Sequence, residues 1–219
     1  MDLPIQQGTF VFIDTELTGL NEREDSIISI GALRMIEGRI EMGKHFYSLV
    51  KPSSRMKNDS VVIHEITPSE VSDERSITEV LPEFLEFCNG HILVGHFIGI
   101  DLGFLNKEIK RLGNLVLSNT VLDTYILYGW LWTRWLSESQ FSLPPQQVDL
   151  YKIARSFDIP FSGAHNAIMD AFITAQVFQR FIPWLERSGI LNLGALLKIG
   201  NPEKGGDHRF HKPAQISNF

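Results

Sequence analysis

Five side chains carry most of the chemical potential of this sequence: Asp14, Glu16, Asp101, His165 and Asp170. Asp14 and Glu16 follow the run Thr9-Phe10-Val11-Phe12-Ile13, whose β-branched and aromatic composition reads as a buried strand that ends at the acidic pair. In a strand, residues i and i+2 face the same side, roughly 6.5–7 Å apart. The two carboxylates therefore project together from one edge of the core. Like charges placed side by side are costly unless a cation lies between them. Hard oxygen ligands favour magnesium or manganese. A lone D-x-E is also what a strand running out into solvent looks like, so the pair needs support from elsewhere. Asp101 follows the apolar run HILVGH and opens a helix. Asp170 lies in the first turns of a long helix among Ile168, Met169, Ala171 and Phe172, although Asp is a poor helix former. His165 precedes it by five residues. Each of these has an ordinary structural explanation taken singly. Their order along one chain is much harder to obtain by chance.

The elements that must position these groups follow from local pattern. Ser26 to Met35 and Ile40 to Val50 have strand character and form, with the first strand, an antiparallel meander. Arg55 to Ser60 reads as a polar loop. Thr67-Pro68-Ser69-Glu70 is a helix start with a capping box. Ser76 to Phe87 reads as an amphipathic helix, and Pro82 argues for a start later than Ser76. His91 to His96 suits a buried parallel strand, followed by a helix over Asp101 to Leu112. Asn119 to Leu127 is a short strand running into a helix. Val148 to Phe157 looks helical, His165 opens the last long helix, and Leu191 to Ile199 forms a short one. Tyr125 to Leu136, YILYGWLWTRWL, is too short for a membrane span and contains Arg134. It reads either as a helix packed on the domain or as an aromatic partner surface.

The 219 residues suit one sizeable domain, here taken as 1–200, with an aromatic insertion at about 125–147 and a flexible tail over 201–219. No segment reaches the length of a membrane span, so no membrane association is expected. The N-terminus lacks a basic region and an apolar signal core, and Cys88 is the only cysteine; a cytoplasmic protein without disulfides or a cysteine-built zinc site is the simplest expectation. A net charge of −6 argues against broad charge-driven nucleic-acid binding but leaves room for a site that grips only a strand end.

In these motifs the chain resembles the DEDD 3′–5′ exonucleases, in the branch with a catalytic histidine. The proofreading epsilon subunit of bacterial DNA polymerase III, RNase T and oligoribonuclease belong to that family. FIDTELTGL resembles its first motif, D-x-E-T-T-G. LVGHFIGIDLGFL resembles the second, G-H-N-x-x-F-D-x-x-F-L, and HNAIMDA the third, H-x-A-x-x-D-A. HEIT is similar to an H-G-I-T segment and LDTYIL to an L-D-T stretch. Phe97 stands where the family has Asn and Ile100 where it has Phe, while Gly129 to Gln147 matches nothing in the pattern.

The resemblance implies an α/β, ribonuclease H-like fold: a mixed five-stranded sheet flanked by helices. It implies that Asp14, Glu16, Asp101 and Asp170 hold two divalent cations, Mg2+ or Mn2+, and that His165 is the general base. Leu17, Thr18, His64, Ile66 and His96 would receive the 3′-terminal nucleotide, with His64 and Ile66 flanking its base. The expected partner is the 3′ end of a single strand, DNA in preference to RNA, with a polymerase or a second copy of the chain as further partners. A 3′–5′ exoribonuclease is the nearest alternative. A non-catalytic nucleic-acid-binding module is a more distant one, because it need not retain all five groups.

Overall fold

The structure, a computed structural model, describes residues 2–113, 115–138, 143–162 and 165–202. Most of the expected tail, and residues 139–142 of the expected insertion, lie outside the described residues. Strand β1 (Thr9–Leu17) is the centre of a five-stranded sheet of order β3-β2-β1-β4-β5. It pairs antiparallel with β2 (Ile27–Ile36), which pairs antiparallel with β3 (Arg39–Leu49). On its other side it runs parallel to β4 (Ile92–Gly95), which is parallel to β5 (Val121–Asp123). This is the mixed sheet expected from the sequence.

Helices cover both faces. On one face, Phe10 and Phe12 pack their rings 5.0 and 5.6 Å from that of Phe178 in the long helix α7 (Ala167–Arg187). Helices α5 (Thr124–Trp132), α6 (Leu150–Ser156) and α8 (Leu193–Gly200) complete that layer. On the other face, Val11 and Ile13 bury themselves with Val80, Leu81 and Phe84 of α3 (Ile77–Cys88) and Phe104 and Leu105 of α4 (Gly99–Leu112). Because side chains alternate along a strand, Asp14 and Glu16 continue the Phe10–Phe12 face and lie toward α7. Thr15 continues the Val11–Ile13 face and points toward α4.

Gly31 of β2 stands directly across from Asp14. A Cβ there would lie 2.3 Å from both the Ala167 carbonyl carbon and the Ile168 nitrogen. Glycine thus lets the first turn of α7 rest on the sheet, one turn before Asp170.

Three local expectations are corrected. β1 does not stop at the acidic pair: Asp14 to Leu17 stay hydrogen-bonded to β2, with an irregularity only between Glu16 and Leu17. The polar loop over 55–60 gives way to helix α1 (Asn58–His64), closed by Glu65 in a left-handed conformation. Helix α3 does begin after Ser76, at Ile77, where Ser76 and Glu79 form a capping box. The long helix starts at Ala167 rather than at His165. The Asn166 side chain accepts from the Met169 amide as its cap, and His165 precedes it with φ 60°. By contrast, Thr67, Pro68 and Glu70 start α2 (Pro68–Val71) with the expected capping box.

The aromatic segment is a packed helix. Tyr125, Leu127, Tyr128 and Leu131 are buried, while Trp130 and Trp135 are half-buried beneath the guanidinium groups of Arg134 and Arg187. Among the described residues, no helix is long and apolar enough to cross a membrane.

Candidate active site

The end of β1 and the first turn of α7 bring three of the four carboxylates together. Asp14, Glu16 and Asp170 each offer an oxygen within 4.8 Å of the others. Asp101 does not join that group. It sits in the first turn of α4, and its Oδ1 accepts a 2.6 Å hydrogen bond from the Thr15 hydroxyl, which the alternation of β1 aims toward that helix. It is still close enough to Asp14 to be the largest electrostatic influence on it after burial.

Burial raises the pKa of all four acids, and the neighbouring charges raise Asp14 and Glu16 further. Burial comes first and the neighbouring charges second: Asp14 is held well above the usual carboxylate range, and Glu16 is pushed up to about 8. Asp101 is raised to about 7, mainly by burial and against the opposing hydrogen bond from Thr15. Asp170 is also raised by burial, against its hydrogen bond from Tyr151 and the nearby His165. Asp170 Oδ1 is buried without a partner. A buried carboxylate oxygen lacking any donor, beside two further carboxylates that cannot comfortably ionise together, is what hard divalent cations satisfy. The residues present therefore fit such ions.

His165 stands beside this group in a left-handed turn. Its backbone N–H donates to the Tyr151 hydroxyl at 2.8 Å, and its Nδ1 lies 3.2 Å from the same oxygen. Tyr151, from α6, in turn donates to Asp170 Oδ2 at 2.5 Å.

His64 closes α1 nearby. Its Nδ1 accepts from the Ile66 amide at 3.0 Å, so its proton sits on Nε2, which is buried and has no partner. Burial, and then the proximity of His165, hold the His64 pKa below the ordinary histidine value. Ile66 packs with Ile28, Met56 and Val71, and Leu17 belongs to the core beneath α3 and α4.

Thr18, expected to meet the 3′-terminal nucleotide, is held inside the fold. It is fully buried, its amide donates to the Ser26 carbonyl, and its hydroxyl accepts from the Ser26 amide at 2.9 Å and meets Ser54 and Asp25. Its amide and hydroxyl close the β1–β2 connection. His96 likewise turns inward. Its Nδ1 lies 3.0 Å from the Thr124 hydroxyl, which donates to the Gly95 carbonyl, and burial pushes its pKa down to about 3. Its contacts run to Thr124, Phe97 and Tyr125 rather than to the carboxylates.

Sequence reasoning did not single out Tyr151, Gly31, Thr15 or Asp123. Asp123 accepts from the amides of Phe97 and Tyr125 and thereby ties β5 to the start of α4. Only Asp123 carried a local signal, as the acid of the L-D-T stretch just ahead of a helix. The other three act across the sheet or between helices, where sequence spacing is silent.

Comparison with known proteins agrees with this geometry. The exonuclease family model RNase_T matches residues 11–178. The DNA polymerase III subunit epsilon of Aquifex aeolicus is 34% identical over 176 residues, covering 80% of this chain and 81% of that protein. The PolC-type DNA polymerase III of Thermotoga petrophila is 33% identical over 195 residues, which are 89% of this chain but 13% of that protein. The chain thus spans only a small part of the PolC-type relatives. Exonuclease I of E. coli, solved in complex with a dT13 oligonucleotide, has a similar fold: TM-score 0.72 at 16% identity, over 84% of this chain and 43% of that one.

Proposed function

The chain belongs to the RNase_T exonuclease family, and from that premise we propose that it is a metal-dependent 3′–5′ exonuclease that shortens single-stranded DNA one nucleotide at a time. The observation that carries the reading is the convergence of Asp14, Glu16 and Asp170 beside His165. Asp14, Glu16 and Asp170, with Asp101 behind Asp14, would hold two divalent cations, Mg2+ or Mn2+. When bound, such ions supply positive charge against the entering and leaving oxygens of a phosphodiester.

His165 takes the proton of the attacking water, a task suited to imidazole near neutral pH. As that oxygen bonds to the terminal phosphorus, the bond to the 3′ oxygen of the penultimate nucleotide breaks. The products are a nucleoside 5′-monophosphate and a strand shorter by one. His64 and Ile66 would flank the base of the terminal nucleotide, and the unpartnered Nε2–H of His64 offers it a donor. End recognition of this kind reads no base edges and is largely indifferent to sequence.

DNA rather than RNA is favoured by relatives that are parts of DNA polymerase III, and the same relatives make a polymerase the natural larger partner. The test uses 5′-labelled single-stranded DNA and RNA oligonucleotides of matched sequence with Mn2+, and the Asp14→Ala protein alongside. Stepwise loss from the 3′ end, absent in the variant and faster on DNA, is expected. Faster loss on RNA would reverse the substrate assignment, and no cleavage under several metals would leave only a binding module.

A further inference from the structure

Tyr151 is half-buried on α6, and its ring is fixed from both sides. It meets the His165 imidazole edge-on, with centroids 4.9 Å apart and planes at 74°, and it lies 5.5 Å from Phe161. The Asp149 side chain caps its helix by accepting from the Lys152 amide at 2.8 Å. Its hydroxyl has three neighbours: Asp170 Oδ2 at 2.5 Å, the His165 amide at 2.8 Å and His165 Nδ1 at 3.2 Å. A phenol has one proton to give and two lone pairs to receive. With a cation bound, Asp170 must be ionised and can only accept, so the phenol proton goes to Asp170, the nearest of the three. The amide of His165 can only donate and takes one lone pair. The remaining lone pair faces His165 Nδ1, and that contact is a hydrogen bond only if Nδ1 carries a proton.

We propose that Tyr151 is a positioning residue of this site: its hydroxyl holds His165 in the Nδ1–H tautomer, leaving Nε2 as the proton acceptor, and orients the Asp170 carboxylate so that Oδ1 alone faces the other acids. The same hydroxyl pins the amide of a non-glycine residue at φ 60°, a conformation that needs surrounding contacts to persist. One oxygen thus couples the base to a metal-ligating carboxylate across α6 and α7, in the manner of groups that stand behind metal ligands and set their orientation. Its catalytic consequence rests on the exonuclease reading, but the tautomer does not.

The test pairs kinetics with nitrogen NMR of 15N-histidine protein in Mg2+, assigning His165 by its loss in His165→Gln. Wild type is expected to show the Nδ1–H pattern. In Tyr151→Phe, which keeps the ring and removes the oxygen, His165 should shift to the Nε2–H form that free imidazole side chains prefer in water. On an oligonucleotide, kcat should fall by about tenfold or more with KM within twofold, the mark of an interaction needed for the chemical step. An Nε2–H wild type overturns the proposal without need of any variant. So does a Tyr151→Phe protein with an unchanged tautomer, or with kcat within twofold of wild type. A wild type that cleaves nothing defeats the exonuclease reading instead, and the spectrum then still decides the tautomer.

Discussion

Removing one site carboxylate should stabilise the metal-free protein at alkaline pH. Glu16 is mostly buried and its folded-state pKa lies at about 8, against an ordinary 4.5. A carboxyl whose folded pKa is raised binds its proton more tightly in the folded state. Its contribution to stability is therefore complete below about pH 4.5 and is lost as pH climbs through about 8. At about 1.4 kcal/mol per pH unit, the full displacement of Glu16 corresponds to about 5 kcal/mol of destabilisation above pH 8. Water entering a site without cations lowers this to about 2–5 kcal/mol. In Glu16→Gln the penalty is gone, and the amide can donate to Asp14 or Asp170. Thermal unfolding in EDTA at pH 9 should show the variant melting about 5–15 °C above wild type, since 1 kcal/mol moves the midpoint of a chain this size by about 2–4 °C. At pH 5 the gap should shrink to a few degrees. Mg2+ at pH 9 should raise the wild-type midpoint strongly and that of the variant little. A variant that melts below wild type at pH 9, or a gap independent of pH, would refute the view that mutual repulsion of buried acids keeps a place for cations.

Two further outcomes follow from the backbone. Gly31→Ala places a methyl 2.3 Å from backbone atoms of Ala167 and Ile168, which no side-chain rotation relieves; urea unfolding should show a loss of about 3 kcal/mol, and stabilisation by Mg2+ should weaken because Asp170 is displaced. Phe97→Asn and Phe97→Leu both lose the ring packed 4.2 Å from that of Tyr125, but only Asn is at ease at φ 56°; Leu should be the less stable by about 1 kcal/mol in the same assay, and equal stabilities would show that this turn carries no strain.

How much of the site could be read from the chain depends on how local each cause is. The alternation of β1 places Asp14 and Glu16 on one face, because strand geometry needs no tertiary information. The capping box at Thr67 and the apolar stripe of α7 are equally local. The start of α7 at Ala167 was less accessible: H-x-x-x-x-D fits a helix running back through His165, and only the left-handed turn and the cap by Asn166 separate them. The helix over Asn58–His64 was hidden because its first turn is polar, which in isolation reads as loop. The bonds that bury Thr18 come from Ser26, Ser54 and Asp25, partners that spacing alone does not reveal. Tyr151 and Gly31 act on partners 14 and more than 100 residues away, through contacts that exist only once α6 and α7 lie on the sheet.

Phe97 shows how a departure from a motif becomes intelligible once its backbone is known. The family pattern has Asn at this corner, and the structure needs a left-handed residue there. Asn suits that conformation because its short polar side chain visits it at lower cost than other non-glycine residues. In this chain the position calls for a left-handed backbone. Phe meets it with help from two sides: its amide donates to Asp123 Oδ1 at 3.2 Å, and its ring rests between His96 and Tyr125. Asp123, held at the end of β5, thus carries the turn that launches α4, and Asp101 sits in the first turn of that helix with its carboxylate on Thr15. The acid stays in place although the residue that usually shapes the corner is gone. The position of Asp101 depends on where β5 ends and on the hydroxyl of Thr15 more than on the identity of residue 97.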